Sequence, residues 1–314
     1  MYYVLYQHIV HICIFLPLMI SIIICSVNPV LLQQVSDNVA ATIGSHYEII
    51  AMDNRQSGKG ICQVYNEGVA KAQFNILCFI HEDILIDTNN WGRVLQELFT
   101  DPTLGLVGVA GSSYRPLIPA NWGGIGPDTV YKNIIQSYKF KNQEDVHYNI
   151  NPKNEKLARV TCIDGVWMCT TKAVASEIKF DEETFTGFHL YDVDFSMAVA
   201  QKYKVAVTYE ILIKHLSEGT YNRAWFKETL KFFYKWNKSL PFDVEGLSQK
   251  QILRGERMVF NIFIDQLIQF NFPISTAYDV LWKNFRFFKL SKKIFFKLNF
   301  HIYKRYNKAK KATA

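Results

Sequence analysis

Four short apolar runs, each followed by a segment of helical pattern, restrict this chain to few folds. The runs lie near 20–26 ("ISIIICS"), 47–54 ("YEIIAMDN"), 75–83 ("NILCFIHED") and 105–111 ("GLVGVAG"). The first helix is expected from Pro29, at a first helical turn, to Gly44, a stop signal. "ICQVYNEGVAKA" (61–72) and "NWGRVLQELFT" (90–100) have helical patterns too. Strands alternating with helices over short loops imply an α/β fold with a mainly parallel sheet covered on both faces. Such a sheet binds ligands beyond the carboxyl ends of its strands. Those ends carry Cys25, Ser26 and Asn28, then Asp53 and Asn54, then His81, Glu82 and Asp83. Polar groups therefore gather on one rim.

The 314 residues, 49% hydrophobic and 20% charged, suit a folded globular protein with a sizeable core. The net charge of +7 belongs to the tail. Eleven of the 35 Lys and Arg lie from Lys283 onward with no Asp or Glu, leaving 24 basic against 28 acidic residues elsewhere. A nucleic-acid-binding core is thereby excluded. Six cysteines show no C-x-x-C pair and no zinc spacing, and are read as reduced core residues of a cytosolic protein. "IVHICIFLPLMISIIIC" (9–25) resembles a signal or membrane segment. However, no Lys or Arg precedes Arg55, and His11, Pro17 and Ser21 interrupt the run. The division expected is an upstream extension or hydrophobic segment at 1–18, an α/β domain at 19–245 and a helical, basic region at 246–314.

Residues 111–158, rich in Gly, Pro, Asn and Tyr, are too long for a simple connector and fit a substrate-facing insertion or lid. "RVTCIDGVWMCTTK" (159–172) returns to the sheet. "HLYDVDFSMAVAQKY" (189–203) and "YNRAWFKETLKFFYKW" (221–236) have helical spacing, and "KVAVTYEILIKH" (204–215) is another strand.

Asp83, next to Glu82 and near Asp53 on one rim, would form a negative cluster that is unfavourable without a cation. Oxygen ligands suit Mg2+ or Mn2+ held together with substrate phosphates. A solvated loop starting one residue early would give the same pattern. His215, at another strand end, is a further metal ligand or a surface histidine. Asp192 and Asp194 stand about 200° apart on a helix, so both cannot face one site. Asp192 serves either as a cap near the helix start or as a general base.

Taken in order, "SIIICSVN", "IIAMDN", "YNEGVAKA", "FIHEDI" and "FTGFHLYDVDFSMAV", then "HLSEGT" and "FYKW", resemble family 2-type glycosyltransferases of the GT-A fold, in their bacterial glycosyltransferase-like branch. The resemblance spans about 19–240. It implies that Ser26, Asp53 and Asn54 hold the base and ribose of a nucleotide-sugar. Asn66 and Gly68 match an Asn-x-Gly beside the nucleotide. Glu82 and Asp83 would face the donor, with Asp83 coordinating a divalent ion on the diphosphate, and His215 would be a second metal or diphosphate contact. Asp192 would be the base that deprotonates the acceptor. Two positions depart from the family pattern. His81 stands where the first Asp of the acidic motif is usual, which bears on donor identity and metal strength. Tyr191 stands where a Glu is usual, which removes one supporting carboxylate.

The reaction implied is inverting, metal-dependent sugar transfer from a UDP- or dTDP-sugar to a glycan or lipid-linked acceptor, in cell-surface polysaccharide synthesis. The alternative is an inactive nucleotide-sugar-binding or membrane-surface scaffold. A nucleotidyltransferase fits less well, because "CSVNPV" replaces a Gly-rich basic loop after the first strand. In the tail, residues 288, 295, 298, 302 and 306 approximate one apolar helical face among many Lys and Arg. Residues 283–314 are therefore expected either to dock on an anionic membrane, giving a cytoplasmic protein peripheral at the inner face of the plasma membrane, or to pack on the domain.

Overall fold

The structure is a computed structural model that describes residues 19–139, 143–219 and 221–312. The segment expected at 1–18 lies outside these residues. In chain order the first half holds β1 (Ile20–Ser26), α1 (Pro29–Thr42), β2 (Tyr47–Asp53), α2 (Ile61–Lys71), β3 (Ile76–Ile80), β4 (Ile84–Ile86), α3 (Trp91–Leu98), β5 (Leu104–Gly108), β6 (Ala110–Ser112) and β7 (Tyr114–Arg115). Next come β8 (Val130–Gln136), β9 (Val146–Ile150), β10 (Leu157–Val160), β11 (Cys162–Ile163), β12 (Trp167–Thr171), α4 (Lys172–Ile178), α5 (Tyr191–Val199), β13 (Lys204–Thr208) and β14 (Ile213–His215). The chain continues through α6 (Arg223–Trp236), β15 (Phe242–Asp243), α7 (Gln249–Gln269), α8 (Ile274–Trp282), α9 (Arg286–Leu290) and α10 (Lys292–Ala312).

The central sheet has the order β10-β13-β5-β12-β3-β1-β2. Strands β1, β2, β3, β5 and β13 run one way, and β12 and β10 oppose them. Alternation along β1 explains the two covered faces. Ile22 and Ile24 pack with Val35, Val39, Trp91 and Leu95 of α1 and α3. Ile23 points to the opposite face, with Tyr65, Phe195 and Phe226 of α2, α5 and α6. Gly68 lets α2 approach β1 closely, since a Cβ there would lie 2.5 Å from Ile23 Cγ2.

Several expectations change in detail. The strand expected at 204–215 is two strands, because the chain leaves the central sheet after Thr208 and re-enters a second one at Ile213. The insertion is no loose lid. It supplies β6, β8 and β9, which form that second sheet with β11, β14 and β4, as well as β7, which pairs with β15, and Ile118 is 1% exposed. Cys78 and Cys169 are not both reduced: they face each other in the antiparallel β3–β12 register and form a disulfide. Cys25, Cys62 and Cys162 are free. Among the described residues, no helix is long and apolar enough to cross a membrane.

The tail is helical, but its expected apolar face turns inward. Phe295, Leu298 and Ile302 are buried, and Phe288 and Tyr306 pack on the same core. The side of α10 left in solvent carries Phe296, Phe300 and Tyr303 instead.

The C-terminal helices are tied to the insertion through Glu256 of α7, which is fully buried. Its Oε1 accepts from the Tyr114 hydroxyl at 2.9 Å and the Leu117 N–H at 2.8 Å, while Oε2 has no partner. Burial pushes the carboxyl up to about 7, against those hydrogen bonds and the charge of Arg115. A carboxyl with a raised folded pKa contributes stability that is fully present below the ordinary glutamate range and is lost as pH rises through about 7. The amount at stake is on the order of 3 kcal/mol. Urea unfolding should therefore find Glu256→Gln close to the parent at about pH 5 and more stable than it at about pH 8.5. Equal stability differences at both pH values would refute an ionisable buried Glu256.

Candidate active site

One non-local strand pairing builds the site. After Ile80 the chain leaves β3, turns through His81, Glu82 and Asp83, and enters β4. Strand β14 runs antiparallel to β4 with His215 opposite Ile84, and the Leu216 N–H donates to the Asp83 carbonyl at 2.9 Å. His81, Asp83 and His215 are thereby gathered, with their ligand atoms all within 4.8 Å of one another.

Asp83 Oδ2 lies 3.5 Å from His215 Nε2 and accepts from the Ser217 hydroxyl at 2.6 Å. Its Oδ1 lies 3.9 Å from His81 Nδ1. Burial raises the Asp83 pKa, but His215, Ser217 and His81 outweigh it and hold the carboxyl well below the usual range. His215 Nδ1 donates to Gln136 Oε1 at 3.3 Å, which leaves its Nε2 toward Asp83. Burial and the neighbouring His215 hold His81 below its usual pKa. Two imidazoles and a carboxylate are a donor set that fits a borderline divalent cation such as Mn2+.

The expected carboxylate cluster does not form. At the turn after β3, successive side chains diverge and Glu82 points back under β1. Its carboxylate accepts from the Ser26 hydroxyl at 2.7 Å and from the N–H groups of Val27 and Asn28, at the start of α1. Ser26 and Glu82 thus engage each other. Asp53 is exposed and pairs with Arg55, whose hydrogen bonds pull its carboxyl down to about 2. Asn54 does line the cavity, with its amide donating to the Lys59 carbonyl at 3.0 Å. Asn66 does not line it. It lies within α2 rather than at its start, and its side chain bonds Phe180 at both N–H and C=O and the Glu182 carboxylate.

Asp192, in the first turn of α5, faces a cavity of about 470 Å³ that His81, Asp83 and His215 also line. Its Oδ2 accepts from the Gly165 N–H at 2.9 Å. Burial and the charge of Asp164 push its carboxyl up to about 7. Asp194 points away, as helical spacing requires, and is held by Lys235 and Trp236, each at 2.7 Å. Sequence reasoning missed Asp164, although an Asp-Gly turn after an apolar run is a visible cue. It also missed the aromatic wall of Trp122, Phe188, Tyr221 and Trp225, which comes from three separate segments.

Residues 21–236 match the family described as "Glycosyltransferase like family". No curated protein matches the chain. Among solved structures, the chain is similar to GalNAc-T7 with UDP, GalNAc and Mn2+, at 12% identity and a TM-score of 0.46, covering 85% of this chain and 58% of that one. It is also similar to the mannosyltransferase PcManGT from Pyrobaculum calidifontis in complex with GDP-Man and Mn2+. There the identity is 13%, the TM-score 0.45, and the coverage 84% of this chain and 74% of that one.

The reassignment of Asn66 is checked by Asn66→Ala. Loss of its hydrogen bonds to Phe180 and Glu182 should destabilise the fold by about 1–3 kcal/mol in urea unfolding. Nucleotide affinity, read by calorimetry, should stay at the parent value. Weakened nucleotide binding at unchanged stability would return Asn66 to the ligand site.

Proposed function

The chain belongs to the glycosyltransferase-like family, and on that premise we propose that it transfers a sugar from a nucleoside diphosphate sugar to a glycan or lipid-linked acceptor, with inversion at the anomeric carbon. One observation carries the reading: the His81, Asp83 and His215 cluster opens onto the same cavity as Asp192. Asp83, His215 and His81 would hold a divalent cation, Mn2+ or Mg2+, beside the donor diphosphate. Bound there, the cation neutralises charge that develops on the departing nucleoside diphosphate. Asn54, at the end of β2, contacts the nucleotide from the opposite side of the cavity. Ser26 and Glu82 contribute by fixing the turn into α1, over which the donor lies.

Asp192 is the base. An inverting displacement needs one group to take the proton of the attacking hydroxyl as the bond to the anomeric carbon forms and the bond to the diphosphate oxygen breaks. A carboxyl with a pKa of about 7 is both partly ionised and basic enough near neutral pH. The Gly165 N–H aims it.

The exposed side of α10 supports a peripheral membrane location at the inner face of the plasma membrane and, with it, a lipid-linked acceptor in cell-surface polysaccharide synthesis. Phe296, Phe300 and Tyr303 lie at i, i+4 and i+7 and are 61%, 67% and 57% exposed. Lys293, Lys297 and Lys304 flank them. Each such cation near an anionic leaflet contributes about 1 kcal/mol. The second reading, an inactive donor-binding or membrane scaffold, is favoured by Tyr191 in place of the usual family Glu.

Calorimetric titration with UDP, dTDP and GDP should find one nucleotide that binds only with Mn2+ or Mg2+ and not to Asp83→Ala. Folded protein that binds none of them would end the transferase reading. With the donor identified, kcat/KM should rise with pH through about 7 as Asp192 loses its proton. Asp192→Asn should lower kcat by about 10²–10⁴-fold; unchanged turnover by that variant would sink the assignment of the base, and no turnover by the parent would favour the scaffold. Co-sedimentation should capture the protein on anionic vesicles but not on neutral ones, and Phe296→Ser with Phe300→Ser should release it. Indifference to lipid charge would exclude the membrane role of α10.

A further inference from the structure

The two positions at which this sequence departs from its family pattern are in contact. His81 Nε2 lies 2.8 Å from the Tyr191 hydroxyl, and that hydroxyl is 3.3 Å from the Gly165 carbonyl, to which it donates. Tyr191 is 3% exposed. Gly165 makes the contact possible, because a Cβ there would lie 2.1 Å from the Tyr191 oxygen. A phenol has one proton. If Gly165 holds it, the Tyr191 oxygen can only accept from His81, and Nε2 must carry the hydrogen. The lone pair of His81 is then on Nδ1, the atom 3.9 Å from Asp83 Oδ1.

We propose that Tyr191 is a positioning residue of the cation site, holding His81 in the Nε2–H tautomer so that Nδ1 joins Asp83 and His215 as a third protein ligand. The site then selects Mn2+ over Mg2+. His215 is oriented in the same manner from the other side, its Nδ1–H given to Gln136 and its Nε2 left for the cation. Metal-bound histidines characteristically donate their second ring N–H to an oxygen that fixes the ring. Here a backbone-anchored phenol and a side-chain amide supply those two oxygens. Two imidazoles with one carboxylate favour Mn2+, whereas Mg2+ prefers carboxylate and water oxygens. The inference rests on the donor-site reading above.

The test titrates the full-length protein with Mn2+ alone, reading free Mn2+ by electron paramagnetic resonance, and repeats it with Mg2+ as competitor. The variants are Tyr191→Phe, which keeps the ring packed on Tyr65 and Phe180, His81→Ala, and the two combined. Tyr191→Phe should weaken Mn2+ binding by about 10–100-fold and cause no further loss once His81 is Ala. Parental Mn2+ affinity in Tyr191→Phe, or an equal loss in the His81→Ala background, would overturn the proposal while leaving the donor site standing. A parent protein that binds no Mn2+ would overturn both. Long-range proton–nitrogen spectra of the unsubstituted protein read the His81 tautomer without any variant. Hydrogen on Nε2 supports the relay, and hydrogen on Nδ1 refutes it.

Discussion

The antiparallel contact between β4 and β14 is the constraint on which the site depends. Each strand has only three residues, yet the ladder sets His215 opposite Ile84 and closes with a hydrogen bond from Leu216 to the Asp83 carbonyl. A shift of one residue would send His215 to the other face of the sheet, because side chains alternate along a strand. The second sheet enforces the register from behind, since β14 also pairs with β8, the strand that supplies Gln136. Candidate cation ligands separated by more than a hundred residues in sequence are thus aligned by backbone hydrogen bonds, and the side chains need only fill the positions given to them.

The cavity also keeps two carboxyl groups in opposite protonation regimes. Asp83 is surrounded by donors and imidazoles and stays ionised. Asp192 is buried beside another acid and titrates near neutrality. Environments that push two acids apart suit one to charge binding and the other to proton transfer. Neither role is legible in the residue type, since both are aspartates.

What the sequence reveals divides along the same line. The strand and helix order was legible, because period and punctuation are local properties. Asp83 and His215 were each visible at a strand end and the resemblance set both at one cation, but the approach of His81 to them was not legible, because a three-residue pairing leaves no periodic trace. Glu82 does line the cavity, but that its carboxylate is engaged by Ser26 and the start of α1 was not legible, since the direction of a side chain at a turn depends on dihedral angles that hydropathy does not report. The disulfide between Cys78 and Cys169 arises from register across β3 and β12, and no spacing rule could reveal it. On α10, Phe and Tyr occur on two sides, and only packing against α8 and α9 decides which side is covered.

The Glu256 contact has a consequence for how such a protein can be divided. It fastens α7 to Tyr114 and Leu117, a few residues before Asn121 and Trp122 of the cavity wall. Strand β15 adds a second tie by pairing with β7. The C-terminal helices are therefore not an interchangeable cassette. Exchanging them for the tail of another transferase would leave the insertion without its anchor and alter the cavity wall at a distance. Recombination in this region has to carry both halves of the contact together, so the surface helix and the substrate wall are inherited as one unit.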